Sequence, residues 1–129
     1  MNPRAYLNSA TEAQIKKGCQ DYLQTLQNMG RISHWQRMQA GKVVVVRTDK
    51  KGYGERRYKV QLCQPGTPDL LVVHLGGQAE YIEVKAHGKS LNEQQEAFHN
   101  KLEQHHVPVH VVRSVDDLRA VMEAIDGHE

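Results

Sequence analysis

The chain has 129 residues, 39% of them hydrophobic and 25% charged, an average globular composition that excludes a disordered or collagen-like polypeptide and predicts one domain over residues 1–129. The apolar runs at 43–46 and 70–73 fall far short of the roughly 20 residues of a bilayer span, and the start of the chain has no signal-peptide core, so a cytoplasmic protein away from membranes is expected. A net charge of +2 hides an uneven split: residues 42–59 carry seven basic side chains against Asp49 and Glu55, a basic flap on a near-neutral body.

Ser9 followed by Glu12 has the form of a capping box, and Ile15, Cys19, Tyr22 or Leu23, Leu26 and Met29 repeat at helical spacing, which predicts a helix over residues 11–29. An extended stretch at 34–38 comes next. Residues 43–47 and 58–62 then read as sheet strands or a projecting hairpin around a basic loop with Gly52 and Gly54. The turn sequence Gln64-Pro65-Gly66-Thr67-Pro68 delivers Asp69 to the apolar run 70–73, and Gly76-Gly77 turns the chain into a strand at 81–85. Leu91, Gln95, Phe98 and Leu102 mark a helix after Gly88, residues 108–113 a buried strand, and Ser114 with Asp117 caps a last helix carrying Val115, Leu118, Met122 and Ile125. Cys19 and Cys63 lack a Cys-x-x-Cys companion and read as reduced thiols. The eight histidines lack metal-site spacing and read as surface residues.

Chemistry concentrates at Pro68-Asp69 and Glu83-Val84-Lys85. Strand alternation puts Glu83 and Lys85 on one face while Ile82 and Val84 take the other. A two-residue turn at Gly76-Gly77 would set Asp69 opposite Val84, on the wrong face. An odd-numbered loop instead sets it opposite Glu83 or Lys85, and the odd loop is the register expected here. Two adjacent carboxylates repel and tend to hold a proton unless a divalent cation sits between them, and hard oxygen donors suit Mg²⁺ or Mn²⁺. A neighbouring lysine can orient a water, so the set is equipped for metal-assisted phosphodiester hydrolysis. The alternative is a solvent-facing Glu83 to Lys85 strand pair with Asp69 as a turn residue.

Pro68-Asp69 followed by Glu83-x-Lys85 resembles the signature of the PD-(D/E)xK nuclease superfamily, whose core runs α-β-β-β-α-β. More narrowly, Gly66-Thr67-Pro68-Asp69-Leu70-Leu71, Glu83-Val84-Lys85, Leu91-Asn92-Glu93-Gln94-Gln95-Glu96-Ala97-Phe98 and Val109-His110-Val111-Val112-Arg113-Ser114 resemble the VRR-NUC domain family. The resemblance implies an α/β fold of the restriction-endonuclease-like kind, a central mixed sheet flanked by helices. It also implies a divalent-metal nuclease with Asp69 and Glu83 as ligands, Val84 lending its backbone carbonyl, and Lys85 handling the attacking water.

Glu12 reads as the capping-box acceptor of the first helix and, the two roles not being exclusive, as the acidic residue by which, the resemblance implies, members of the family reach the metal from that helix. Gln95 interrupts the stripe of Leu91, Phe98 and Leu102 and is either a buried core amide or, as the family's Q-x-x-F pattern implies, a supporting residue of the site. The expected activity is a Mg²⁺ or Mn²⁺ dependent DNA endonuclease, bacterial or phage-encoded, serving repair, recombination or phage DNA processing. Phosphates would be met by Lys50, Lys51, Arg47, Arg56 and Arg57 of the flap, with Arg37 and Lys89 beside it. The alternative is a DNA-binding module of the same fold, with little activity of its own, working within a larger complex. One site per small domain, and the likeness to small resolvases of the superfamily, predict a C₂ homodimer that prefers four-way or otherwise branched DNA.

Overall fold

The computed structural model describes residues 10–39, 42–48, 50, 52 and 54–126. The first helix, α1 (Glu12–Asn28), begins one residue later than expected and uses a different cap. Thr11 is the N-cap, its hydroxyl accepting from the Gln14 N–H at 3.1 Å while the Gln14 side chain accepts from the Thr11 N–H at 2.9 Å. The capping role considered for Glu12 therefore belongs to Gln14, and Ser9 lies outside the described residues.

After β1 (His34–Arg37) the chain leaves the main sheet for a two-stranded antiparallel ladder, β2 (Lys42–Thr48) with β3 (Glu55–Gln61), in register from Lys42↔Gln61 to Thr48↔Glu55. The projecting hairpin is thus the form adopted, and its second strand starts three residues before the expected one. The chain returns through β4 (Leu70–Val73) and β5 (Ala79–Val84), passes through α2 (Glu93–Gln104) to β6 (Val109–Val112), and ends in α3 (Val115–Asp126). The main sheet has the order β1-β4-β5-β6. Its first three strands are antiparallel neighbours and β6 lies parallel to β5, the pairing for which the α2 crossover is needed. This is a central mixed sheet flanked by helices.

Alternation along the strands divides the two faces. Leu70, Val72, Ile82, Val84 and Val112 point to one face and bury against Ile15, Cys19, Leu23 and Leu26 of α1 and Leu118 and Met122 of α3. A Cβ on Gly18 would stand 2.7 Å from Val115 Cγ2, so the glycine lets α1 and α3 approach closely. The other face carries Tyr81 and Glu83 beneath α2, where the Tyr81 and Phe98 rings meet edge to face at 6.3 Å. The strand expected to be buried at 108–113 is only partly so: Val112 enters the core while Val111 is 39% exposed. Neither Cys19 nor Cys63 is in a disulfide, and burial pushes the Cys19 thiol up to about 11. Among the described residues no helix is long and apolar enough to cross a membrane.

The expectation that the histidines lie on the surface fails at three positions. His74 and His99 are buried and His110 is half-buried. At the end of the core face, the buried Glu80 carboxyl takes His74 Nε2 at 2.5 Å on one oxygen and His110 Nε2 at 2.9 Å on the other. The cause is the pleat: Glu80 shares the face of Ile82 and Val84, where an acid must be partnered, and the two imidazoles supply the partners. Burial works against its charge, but the hydrogen bonds from His110 and His74 outweigh that and hold its carboxyl below the ordinary range.

Candidate active site

The turn between β4 and β5 settles the register. The His74 N–H donates to the Gln78 carbonyl at 2.8 Å around a loop of Leu75, Gly76 and Gly77, an odd number, and the ladder pairs Leu70 with Ile82. One step further along, Asp69 falls opposite Glu83, on the α2 face of the sheet. The incoming segment is fixed by Gly66, whose φ of 88° suits glycine and where a Cβ would stand 2.3 Å from the Gln94 carbonyl oxygen. That close approach presses the turn before Asp69 against the first residues of α2. Between them lies a cleft of about 380 Å³, lined by Met38, Thr67, Asp69, Glu83 and Gln95 among others.

Both oxygens of Asp69 are occupied by protein groups. Oδ2 accepts from the Val84 N–H at 2.8 Å, and Oδ1 pairs with the Lys16 ammonium at 2.9 Å. The Asp69 and Glu83 carboxyls also hydrogen-bond to each other. Burial opposes the Asp69 charge, yet the bonds to Glu83, Lys16 and the Val84 N–H outweigh it and hold this carboxyl below the usual range. Glu83, 1% exposed, goes the other way: burial first, then the hydrogen bond and charge of Asp69, push it up to about 9. Their opposite shifts favour one proton and one negative charge on the pair, with the Lys16 ammonium beside the charged member.

Around this pair, His99 Nε2 lies 3.2 Å from Glu83 Oε1, both side chains being buried, and burial keeps the imidazole less basic than usual. The half-buried Lys85 acts electrostatically on both Glu83 and His99, and the charge of half-buried Glu12 raises Glu83 further. Gln95 is half-buried, and its side chain accepts from the Asn92 N–H at 3.0 Å as half of the α2 capping box. It is a cap at the wall of the cleft, and the buried core amide is not what forms.

Lys16 and His99 were not among the expected site residues. Each lies one helical turn beyond a residue that was, Lys16 after Glu12 and His99 after Gln95, so the i, i+4 rule applied to those two would have found them. Of the expected phosphate contacts, Arg37, Arg47, Lys50, Arg56, Arg57 and Lys89 are exposed, and Lys51 lies outside the described residues. The backbone oxygens of Ala86 and Lys89 both accept from the Arg113 guanidinium, at 2.8 and 2.7 Å, which pins the turn after β5 to the end of β6.

Buried carboxyls that share a proton and borrow a lysine are short of positive charge, and oxygen donors of this kind fit a hard divalent cation. Among the described residues, however, no three His, Cys, Asp or Glu side chains form a ready cage. In metal-free protein the raised Glu83 carboxyl makes stability greatest below its ordinary value of 4.5 and erodes it as pH rises towards about 9, because the folded state keeps a proton that the unfolded chain has lost. Glu83→Gln should remove this decline and raise stability at pH 8 by about 1 to 3 kcal/mol. Urea melts of wild type and Glu83→Gln in EDTA at pH 5 and pH 8 check it, because the variant carries the same opposing contribution from His99; a wild type that loses no more stability than the variant between the two would contradict the assignment.

Comparison with known proteins agrees with this fold. A solved structure described as a VRR_NUC domain superposes with a TM-score of 0.53 at 21% sequence identity, covering 88% of this chain and 97% of that one, a likeness of fold. No curated protein matches the chain. The VRR-NUC domain model matches residues 10–116, most of the chain. With Asp69 and Glu83 lining one cleft of a mixed sheet, and a family match of that extent, the chain belongs to the VRR-NUC domain family, a nuclease domain of the PD-(D/E)xK superfamily.

Proposed function

We propose that the protein is a Mg²⁺ or Mn²⁺ dependent DNA endonuclease whose phosphodiester chemistry is carried by Asp69, Glu83 and Lys85. The observation that supports this best is the Asp69 carboxyl set against Glu83 across the β4–β5 ladder at the floor of a cleft. Asp69 and Glu83 would hold the cation, with Glu12 at the rim and the Val84 carbonyl as a further donor. When bound, the cation supplies electrophilic stabilisation of the charge that develops on the phosphate. Lys85 orients the attacking water and favours loss of its proton, in-line attack leaving a 5′-phosphate and a 3′-hydroxyl. His99 positions the Glu83 carboxyl, while the Asn92–Gln95 cap holds the first turn of α2 at the cleft wall, where its N–H groups favour a phosphate.

Cleavage of plasmid or oligonucleotide DNA should be abolished by EDTA and should fall at least roughly 10²-fold in each of Asp69→Ala, Glu83→Ala and Lys85→Ala, the scale of removing one transition-state stabiliser. DNA binding should survive in a gel-shift measurement. Undiminished cutting by Asp69→Ala would overturn the site.

The hairpin gives the DNA a track. It leaves the sheet where the Met38 N–H donates to the Asp69 carbonyl at 2.8 Å and closes where the Cys63 N–H donates to the Gln39 carbonyl at 2.9 Å, so its base abuts the site. Arg47, Arg56 and Arg57 project from it with Val44 and Val46, which are 58% and 49% exposed. Replacing Lys50 and Arg56 together should weaken binding to all sequences alike and reduce the slope of log K against log salt by about 2. An unchanged slope would move the track to Arg37 and Lys89.

Because one such site hydrolyses one phosphodiester at a time, the reading extends to two copies acting on branched DNA in repair, recombination or phage DNA processing. α3 bears Asp116, Asp117 and Glu123 against Arg119, which turns that end of the molecule away from DNA. Light scattering should give a dimer, and a competition gel should show four-way junction outcompeting linear duplex of equal length. A monomer with equal affinities would reject the paired arrangement.

A further inference from the structure

Lys16 has no place in the chemistry described above, yet it makes the shortest ion pair to the proposed site. It lies on α1, one turn beyond Glu12, and its ammonium meets Asp69 Oδ1 at 2.9 Å with the two side chains 23% and 18% exposed. The other Asp69 oxygen, Oδ2, is held at 2.8 Å by the Val84 N–H. That donor is fixed, since Val84 belongs to the β5–β6 ladder in register with Val112, and its side chain is buried in the core. The two contacts of Asp69 thus differ in kind: one is backbone and cannot withdraw, the other ends a flexible four-carbon side chain.

A divalent cation that takes Asp69 arrives at a carboxylate already engaged on both oxygens. An ammonium and a dication sharing one partly buried carboxylate oxygen repel strongly, and only the lysine is free to yield. We infer that Lys16 is the resident cation of the site, a positioning residue that holds Asp69 in place in the metal-free protein and is displaced by the divalent cation, so that it sets metal affinity by competition. This rests on the metal-dependent reading above and deepens it. Lys16 has two effects of opposite sign. It keeps the acidic pair compatible with folding when metal is scarce, and it raises the metal concentration at which the site fills.

The two effects separate in measurement. Titration calorimetry with Mn²⁺ alone, in metal-free protein, should give at least about tenfold tighter binding for Lys16→Met than for wild type, the fold-change expected from losing one charge-assisted competitor. Thermal melts in EDTA should show Lys16→Met less stable than wild type, while saturating Mn²⁺ should bring the two together. A lysine that merely braces Asp69 would produce the reverse, weaker Mn²⁺ binding on its removal. Equal or weaker binding by the variant, with wild type binding normally, overturns the inference and leaves the metal site standing. Failure of both proteins to bind Mn²⁺ overturns the metal reading and this inference with it. Lys16→Gln, which keeps a polar group near Asp69 without the charge, guards against a folding defect in Lys16→Met and should show the same gain.

Discussion

Two carboxyls facing each other across an antiparallel ladder are the constraint on which the rest of this structure depends. The odd loop at Leu75, Gly76 and Gly77 sets Leu70 opposite Ile82, and that register sends the apolar residues of β4 and β5 into the core while setting Asp69 against Glu83 on the other face. A slip of one residue would put Asp69 on the core face with Ile82 and Val84 and send Leu70 and Val72 to the face of Glu83. Burial of the core on one side therefore fixes the acidic pair on the other. Gly66 against α2, the Val84 N–H on Asp69 and His99 on Glu83 hold the arrangement from three further directions.

One strand displays two solutions to the same problem. β5 carries two buried glutamates three residues apart, on opposite faces. Glu80 has an imidazole on each oxygen, and its carboxyl lies below the ordinary range; Glu83 has a carboxyl for a neighbour and rises to about 9. Burial opposes charge in both, so the partner decides the outcome. Glu80 is satisfied within the fold. Glu83 also has His99 at 3.2 Å, but burial and the Asp69 carboxyl prevail and favour its protonated form.

Most of the fold was legible because its signals are local. Helical spacing at Ile15, Cys19 and Leu23, the apolar run at β4 and the Ser114–Asp117 cap each specify an element within a few residues, and the Asp117 N–H does donate to Ser114 Oγ at 3.0 Å. The register could be read because the period of a strand leaves two choices and only one puts Asp69 beside Glu83. Where reading failed, competition between neighbours was the reason. Thr11 with Gln14 won the cap from Ser9 with Glu12, two boxes of the same form offset by two residues. The Glu80 cluster stayed hidden because His74, Glu80 and His110 come from three segments and meet only when β6 pairs in parallel with β5. Lys16 and His99 were missed although each lies one turn from a residue already singled out. A lysine on the sheet-facing side of a helix reads as a solvated side chain until its carboxylate partner is known.

The central claim is that burial and mutual contact favour Asp69 ionised and Glu83 protonated in the absence of metal, the pair that the proposed cation would engage. The most direct test is carboxyl ¹³C NMR of both side chains in metal-free protein from pH 4 to 10. The account predicts that the Glu83 signal titrates near 9 while Asp69 titrates below the usual carboxyl range, and that added Mg²⁺ at pH 7 moves Glu83 to the ionised shift. Two signals that both titrate near the ordinary carboxyl value, indifferent to Mg²⁺, would contradict it.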